Sequence, residues 1–490
     1  MTYSKVVRCV FAISSLSLAA AVESEVSEIP ESRWAVIAAG SAGFMNYRHQ
    51  ADACHAYHVM RKSGIPPSNI ILMMEDDAAN SNENKLKGTL FNKLNGTTDV
   101  YKGCQVDYRG KQVTAELFLN VITGNTSGVP AGGKVLKSTA SDRVFLNFVD
   151  HGGVGLVSFP HGPFLHAMAL HKALTAMKQK KMYKELVFYM EACESGSMFP
   201  QLSPKDGIYA VTAANARESS WGYYCMPKDD VVNGIHLGTC LGDLFSIAWM
   251  EDSDMANLGA ETLGEQFKKV KARTNKSHVM SFGDTSFLAE PIGNFEEGEV
   301  PGASASAGDN GAIGVRDISL HTAWHRWEAA RSPKDKALAW QEYQRVKDAR
   351  TADEALFEEV VQEACLLSGP SCVADIQARQ EDLKDMECHY NLALAVHSHC
   401  PRRSDHDAGG WNGFNMKFSR TLANLCEEQQ HLKKTEEELL EILERACKKS
   451  SQAALESNIQ SLENSLWIGG VLDRHAGSVA AEFEEPQFVV

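Results

Sequence analysis

Two short apolar runs end in side chains able to do covalent chemistry. Residues 144–149 lead into Asp150-His151-Gly152-Gly153, and residues 186–190 lead into Glu191-Ala192-Cys193-Glu194-Ser195-Gly196. A thiol and an imidazole at one rim suit acyl transfer. The thiolate attacks a carbonyl carbon to form a thioester, and the imidazole protonates the leaving amine or activates water. The backbone N–H groups of Gly152 and Cys193 can approach a developing oxyanion. Cys193 is expected at a helix N-terminus, which would also lower its thiol pKa. Each residue alone has a plainer reading, as a buried small thiol or a His-Gly turn. A third run, 34–39, ends in Gly40-Ser41-Ala42-Gly43 and then Phe44-Met45-Asn46-Tyr47-Arg48-His49. From that loop Asn46 can orient the histidine and Arg48 can bind a substrate oxygen. The spacing of Gly40 and Gly43 is not that of a dinucleotide-binding loop.

The elements that must hold these residues follow from periodicity. Runs at 34–39, 70–74, 144–149, 186–190 and 208–212 are short, flanked by turn signals and almost continuously apolar, as strands buried on both faces should be. Helical patterns at 50–62, 164–180 and 241–251 alternate with them, so residues 33–290 read as an α/β unit with a mostly parallel sheet flanked by helices. Ligands of such sheets sit at the carboxyl ends of the strands. Residues 291–315 are small, polar and aperiodic, the composition of an exposed, protease-sensitive linker. Beyond them Ala, Glu, Leu, Lys and Gln dominate, and helices are expected at 353–367, 373–399, 415–427 and 436–447, making an all-α domain.

The 490 residues allow two to four domains, and 44% hydrophobic with 23% charged residues is a globular composition. A net charge of −15 argues against a nucleic-acid partner. The N-terminus reads as a secretory signal, residues 1–21, with Lys5 and Arg8 before an apolar stretch that ends in Ala19-Ala20-Ala21. That stretch is short for a membrane span, the tail 461–490 is interrupted by Glu463, Arg474 and Glu482, and no stable membrane anchor is expected. Sequons at Asn95, Asn125 and Asn275 fit lumenal passage. Of 12 cysteines, six (Cys365, Cys372, Cys388, Cys400, Cys426 and Cys447) lie in the helical region, where they suggest two or three disulfides, with buried free thiols as the alternative. The spacing of the His and Cys residues forms no recognisable ligand set, so no metal and no cofactor is expected.

Several stretches in order resemble the legumain family, the asparaginyl endopeptidases also called vacuolar processing enzymes. They are 46–57 (Asn-Tyr-Arg-His-Gln-Ala-Asp-Ala-Cys-His-Ala-Tyr), 150–152, 191–198, 217–222, 240–244, 249–254 and 277–280, with 419–426 resembling the family's helical prodomain. The resemblance implies a caspase-like fold and a cysteine endopeptidase cleaving after Asn, and weakly after Asp in acid. It makes Cys193 the nucleophile, His151 the general acid/base, Asn46 its orienting residue, and Asp150 the residue matching a succinimide-prone Asp. An S1 pocket of Arg48, His49, Glu191, Ser220 and Asp243 would donate to the oxygen of an Asn side chain and accept from its NH₂.

The resemblance further implies a zymogen whose prodomain (residues 341–490) covers the active site and is released in acid. Cleavage would fall in a linker and activation peptide, residues 291–340, where Asp309 and Asn310 fit the enzyme's own specificity. It pairs Cys388 with Cys426, Cys400 with Cys447, and Cys225 with Cys240. A mutual Cys365–Cys372 bridge stays open, and Cys54 and Cys104 are unassigned. Partners would be protein and peptide substrates with exposed Asn and the chain's own prodomain, in the secretory pathway, in a vacuole, a lysosome or outside the cell. A peptide-ligase side activity is left open. The competing readings are a lumenal pseudoprotease acting as an interaction module and a GPI transamidase-like catalytic subunit. Ala42 and Gly153 depart from common family residues at loop positions.

Overall fold

The computed structural model describes residues 32–93, 96–256, 259–295, 311–404, 407 and 409–469, with side chains described as far as residue 456. The expected signal, the sequon at Asn95 and the cleavage candidates Asp309 and Asn310 lie outside the described residues.

All five expected strands form, as β1 (Arg33–Ala39), β2 (Ile70–Met73), β3 (Arg143–Val149), β4 (Glu185–Glu191) and β5 (Ile208–Thr212). A sixth, β6 (Met280–Gly283), pairs antiparallel at the edge, and the order is β6-β5-β4-β3-β1-β2 with the other five parallel. Alternation of side chains across each strand splits the interior into two cores. Ala35, Ile37 and Ala39 join one core with α1 (Tyr47–Lys62), α4 (Leu244–Met255) and α5 (Leu263–Arg273). Val36 and Ala38 join the other with α2 (Ala115–Ile122) and α3 (Ala167–Gln179). Both faces are therefore covered, which is why the strands read as unbroken apolar runs.

The linker expectation fails at its downstream end. Ile313–Gly314 forms a strand paired antiparallel to Trp221–Tyr223, with Ile313, Val315 and Arg316 buried. The chain then enters α6 (Ile318–Ala329) and the long α7 (Pro333–Ala364), which begins well before the expected 353. Its start obeys a local rule: the Ser332 side chain accepts the Asp335 N–H and Pro333 occupies the first turn. The single helix expected at 373–399 is two, α8 (Cys372–Ala378) and α9 (Met386–His399). The Asn424 side chain caps the carbonyls of Ile376 and Arg379, and Asp385 accepts the Cys388 N–H to open the next helix. A 3-10 turn (Asn415–Phe418), α10 (Ser419–Glu427), α11 (Gln429–Leu432) and α12 (Glu436–Gly469) complete the bundle.

The three pairings implied by the resemblance are formed, Cys225–Cys240, Cys388–Cys426 and Cys400–Cys447. Cys365–Cys372 is bridged as well, and so is Cys54–Cys104, which joins α1 to the loop after β2. Cys193 is the free cysteine among the described residues.

Candidate active site

Register places the dyad. Val149 of β3 pairs with Glu191 of β4, and His151 and Cys193 each lie two residues beyond that pair. The ladder continues one step further through the Asp150 N–H, which donates to the Glu191 carbonyl at 3.0 Å. The two loops then touch. A Cβ on Gly152 would lie 2.5 Å from the Cys193 carbonyl oxygen, so this contact needs glycine. The β1 loop closes from the other side, and a Cβ on Gly40 would meet Asp150 Oδ2 at 2.5 Å.

Hydrogen bonds fix the histidine tautomer. Asn46 Nδ2 donates to the Ala42 carbonyl at 2.9 Å, so Asn46 Oδ1 faces His151 Nε2, 2.8 Å away, as an acceptor. Nε2 must carry the hydrogen, and the buried Nδ1, with no partner, presents a lone pair. Burial, with Arg48 and Arg316 nearby, holds His151 well below the ordinary range, so the ring is neutral.

Cys193 is fully buried, and the Ser220 N–H points at its Sγ from 3.4 Å. The expected lowering of its pKa by a helix start is overturned. Glu194 follows in the left-handed region (φ 48°), then only a four-residue 3-10 turn, Ser195–Met198. Burial instead pushes the thiol up, with the Arg316 guanidinium opposing.

The residues expected at S1 come together as a set. Arg48 Nε donates to Asp243 Oδ1 at 2.9 Å, and Ser246 donates to Glu191 Oε2 through its N–H at 2.9 Å and its hydroxyl at 3.1 Å. His49 Nε2 stands 3.5 Å from Asp243 Oδ2 and its Nδ1 2.5 Å from Ser41 Oγ. Ser220 lies against Cys193. Three buried atoms of the set are left without a hydrogen-bond partner: Arg48 Nη2, Glu191 Oε1 and Asp243 Oδ2. Burial raises both acids, Glu191 also through Asp243, while Arg48 pulls Asp243 back. Asp150 is likewise buried and pushed up to about 8. His49, Asp150 and His151 bring ligand-capable atoms within 4.8 Å of one another.

The C-terminal region lies on this rim. Ile313, Val315 and Ile318 pack with Cys193 and the Cys225–Cys240 bridge, and the Val315 N–H donates to the Ser220 carbonyl at 3.0 Å. Arg316 Nη2 donates to the Gly152 carbonyl and to Glu194 Oε2, both at 2.7 Å, while Nη1 donates to the Gly413 carbonyl at 2.9 Å. A Cβ on Gly413 would lie 2.7 Å from His151 Cε1. The Val154 N–H donates to Ser419 Oγ at 2.6 Å, and a side chain at Gly153 would strike Met416 and Ser419. The departure at Gly153 thus has a use, since glycine lets the helical domain seat. Farther along, His166 Nε2 is 3.1 Å from His389 Nδ1.

Sequence reasoning missed Arg316, which lies in a stretch read as linker. Of the sequons, Asn275 is exposed, whereas the half-buried Asn125 donates its amide to Asn120 Oδ1.

A profile of the Peptidase C13 family matches residues 33–307. The vacuolar-processing enzyme delta-isozyme of Arabidopsis thaliana is 36% identical over 446 residues, 87% of this chain and 92% of that protein. A vacuolar-processing enzyme of Ricinus communis is 39% identical over 416 residues, 80% and 81% of the two chains. Legumain of Mus musculus is 48% identical over 265 residues, 54% of this chain and 59% of that protein. A caspase-1 structure from Spodoptera frugiperda aligns over 53% of this chain and 88% of its own, at 11% identity and a TM-score of 0.29. With a family profile spanning more than half of the sequence and relatives matched along most of their length, the chain belongs to the peptidase C13 family and is a cysteine endopeptidase.

Proposed function

We propose that this protein is the zymogen of an endopeptidase that cleaves after asparagine. The observation that carries the reading is the set of unpartnered buried atoms, one donor on Arg48 and one acceptor each on Glu191 and Asp243. A primary carboxamide needs that complement, with a donor for its oxygen and two acceptors for its NH₂. A carboxylate would meet two acids and bind only once one of them is protonated, which ties Asp cleavage to acid. Leaving three buried polar atoms unanswered is the penalty for an apolar side chain in this pocket.

In the reaction, the Cys193 proton passes to His151 Nδ1 as sulfur bonds to the substrate carbonyl carbon. The amine leaves with that proton, and the thioester is broken by water, which gives a proton to His151 and hydroxyl to the carbonyl carbon. Capture of the same thioester by an amine would be peptide ligation. Asn46 keeps the hydrogen of the ring on Nε2, so that Nδ1 is the atom that moves the proton.

The helical domain acts as the intramolecular inhibitor. It buries Cys193 and His151 and holds both neutral, and its removal readmits water. Cleavage near Asp309 and Asn310, acid-driven release, a signal at residues 1–21 and residence in a vacuole or lysosome belong to the same reading. Among the described residues no helix is long and apolar enough to cross a membrane.

The test is incubation of the purified proprotein at about pH 4–5, with Cys193→Ala as control and mapping of the cut sites. Peptides with Asn, Asp, Gln or Leu before the scissile bond are assayed in parallel. Self-cleavage after Asn or Asp in wild type alone, and preference for the Asn peptide, support the reading. No processing together with no Asn cleavage returns the pseudoprotease.

A further inference from the structure

Behind the acidic wall of the S1 pocket lies a third carboxyl that the reaction does not use. Asp52 is one helical turn after Arg48 on α1 and is 1% exposed. Its Oδ2 accepts the backbone N–H of Asp243 at 3.1 Å, and its Oδ1 accepts Asn92 Nδ2 at 2.6 Å. The same Asn92 amide donates to the Leu241 carbonyl at 2.8 Å, and its Oδ1 takes His55 Nδ1 at 2.7 Å. His55 Nε2 is 3.0 Å from Asp254 Oδ2, and Lys62 pairs with the other oxygen of Asp254 at the surface. A Cβ on Gly242 would lie 2.7 Å from Asn92 Nδ2 and 2.8 Å from Asp52 Oδ1, so the strand that carries Asp243 is pressed onto this pair.

The ionisable groups around Asp52 are Asp243 and Glu191 in front, Arg48 and His49 on its own helix, and His55 beyond Asn92. One guanidinium cannot balance three buried carboxylates. Arg48 touches Asp243 directly, which favours ionisation there and leaves the proton on Asp52. Burial, followed by the neighbouring Asp243, raises Asp52 well above the carboxylate range, the direction this division requires.

Building on the proposed Asn specificity, we propose that Asp52 is a positioning residue of the S1 pocket. It ties down the backbone of Asp243 and holds the proton of this acid cluster, which leaves the Asp243 carboxylate ionised, so discrimination between Asn and Asp side chains depends on it.

The experiment compares Asp52→Asn and Asn92→Ser with wild type in the acid-activated enzyme, using peptides that differ only as Asn or Asp before the scissile bond, across pH 4–7. In D52N the amide NH₂ faces a donor whichever way it turns, the Asp243 N–H or Asn92 Nδ2, and the amide holds no acidic proton. KM for the Asn peptide should rise by about tenfold or more with kcat less affected, the size of one lost buried hydrogen bond. The limb on which Asp-peptide cleavage appears should move to higher pH by about one unit, because Asp243 now takes up its proton more readily. N92S loosens the support but keeps the acid, so it should raise KM without moving that limb. Asp52→Ser, smaller and without an acid, carries the same expectation if D52N does not fold. Equal behaviour of the Asp52 and Asn92 variants, with the limb unmoved in both, overturns the proposal. A wild-type enzyme that shows no preference for Asn over Asp at any pH overturns the pocket reading beneath it instead.

Discussion

The His166–His389 pair should set how sharply acid releases the helical domain. Its four ring nitrogens are all engaged with both rings neutral. His389 Nε2 faces the Ser419 carbonyl at 3.1 Å and must donate, so His389 Nδ1 accepts from His166 Nε2–H. His166 Nδ1 in turn accepts the Met168 N–H. A further proton has no acceptor to point at. Burial holds His166 down to about 3, helped by His389, and His389 down to about 4, helped by Arg420. Once the domain separates, each ring regains an ordinary value near 6.5.

Above pH 6.5 both rings are neutral in either state and the pair is indifferent to pH. Below 6.5 the released state binds the extra protons, and docking weakens until the pH falls to the docked values near 3 and 4. At pH 5 each ring costs docking about 2 kcal/mol, roughly thirtyfold, and the two together roughly a thousandfold. His389→Gln keeps one donor and one acceptor but cannot titrate. It should lower the midpoint of self-processing, followed as the rate of proenzyme loss on a gel from pH 4 to 7, by roughly half a unit to one unit, while thermal stability at pH 7.5 changes little. An unshifted midpoint in a folded H389Q proenzyme would refute the reasoning and move the trigger to the carboxylates around Arg316.

Three further outcomes follow from the same geometry. Arg316→Ala removes a buried guanidinium that bridges Glu194, Gly152 and Gly413, at a cost to docking of about 3 kcal/mol, and the proenzyme should self-process at neutral pH, seen by incubation at pH 7. Asn46→Ala frees the ring hydrogen of His151 to sit on either nitrogen, so kcat on an Asn peptide should fall by about tenfold to a hundredfold with KM nearly constant in steady-state kinetics. Arg48→Lys cannot keep both the bond to Asp243 and the free donor, and kcat/KM for the Asn peptide should fall by about a hundredfold or more.

The sheet and the dyad are legible in the sequence because their determinants are local. A strand buried on both faces is an apolar run wherever it sits, and Cys193 and His151 stand at the ends of two such runs. The set expected at S1 needed the resemblance, since Arg48, Glu191 and Asp243 lie on separate elements that only tertiary packing brings together. Arg316 was lost because its burial is wholly tertiary. The surrounding Gly, Ala and Ser residues carry no period, and strand addition to Trp221–Tyr223 overrides a composition suited to solvent. Asp52 and Asn92 gave no signal either, one acid and one amide meeting across 40 positions. The start of α7 could have been read from Ser332-Pro333 followed by Asp335, a capping pattern present in the sequence. The break between α8 and α9 depends on Asn424 reaching back from another helix, which no local pattern encodes.

The strand formed by Ile313–Gly314 against Trp221–Tyr223 carries one more consequence. Its partner is held on the far side by Gly242–Asp243, so removal of the C-terminal region leaves a single open backbone edge directly beside Cys193. That edge can be completed only by a chain in the extended state, because a helix keeps its own amides and carbonyls occupied. Shape then filters targets before the side-chain pocket does. On the proposed specificity, an asparagine inside a helix or a compact core of a client protein is invisible to this protease, and the same asparagine becomes cuttable once its segment unwinds or lies in a stretched surface loop.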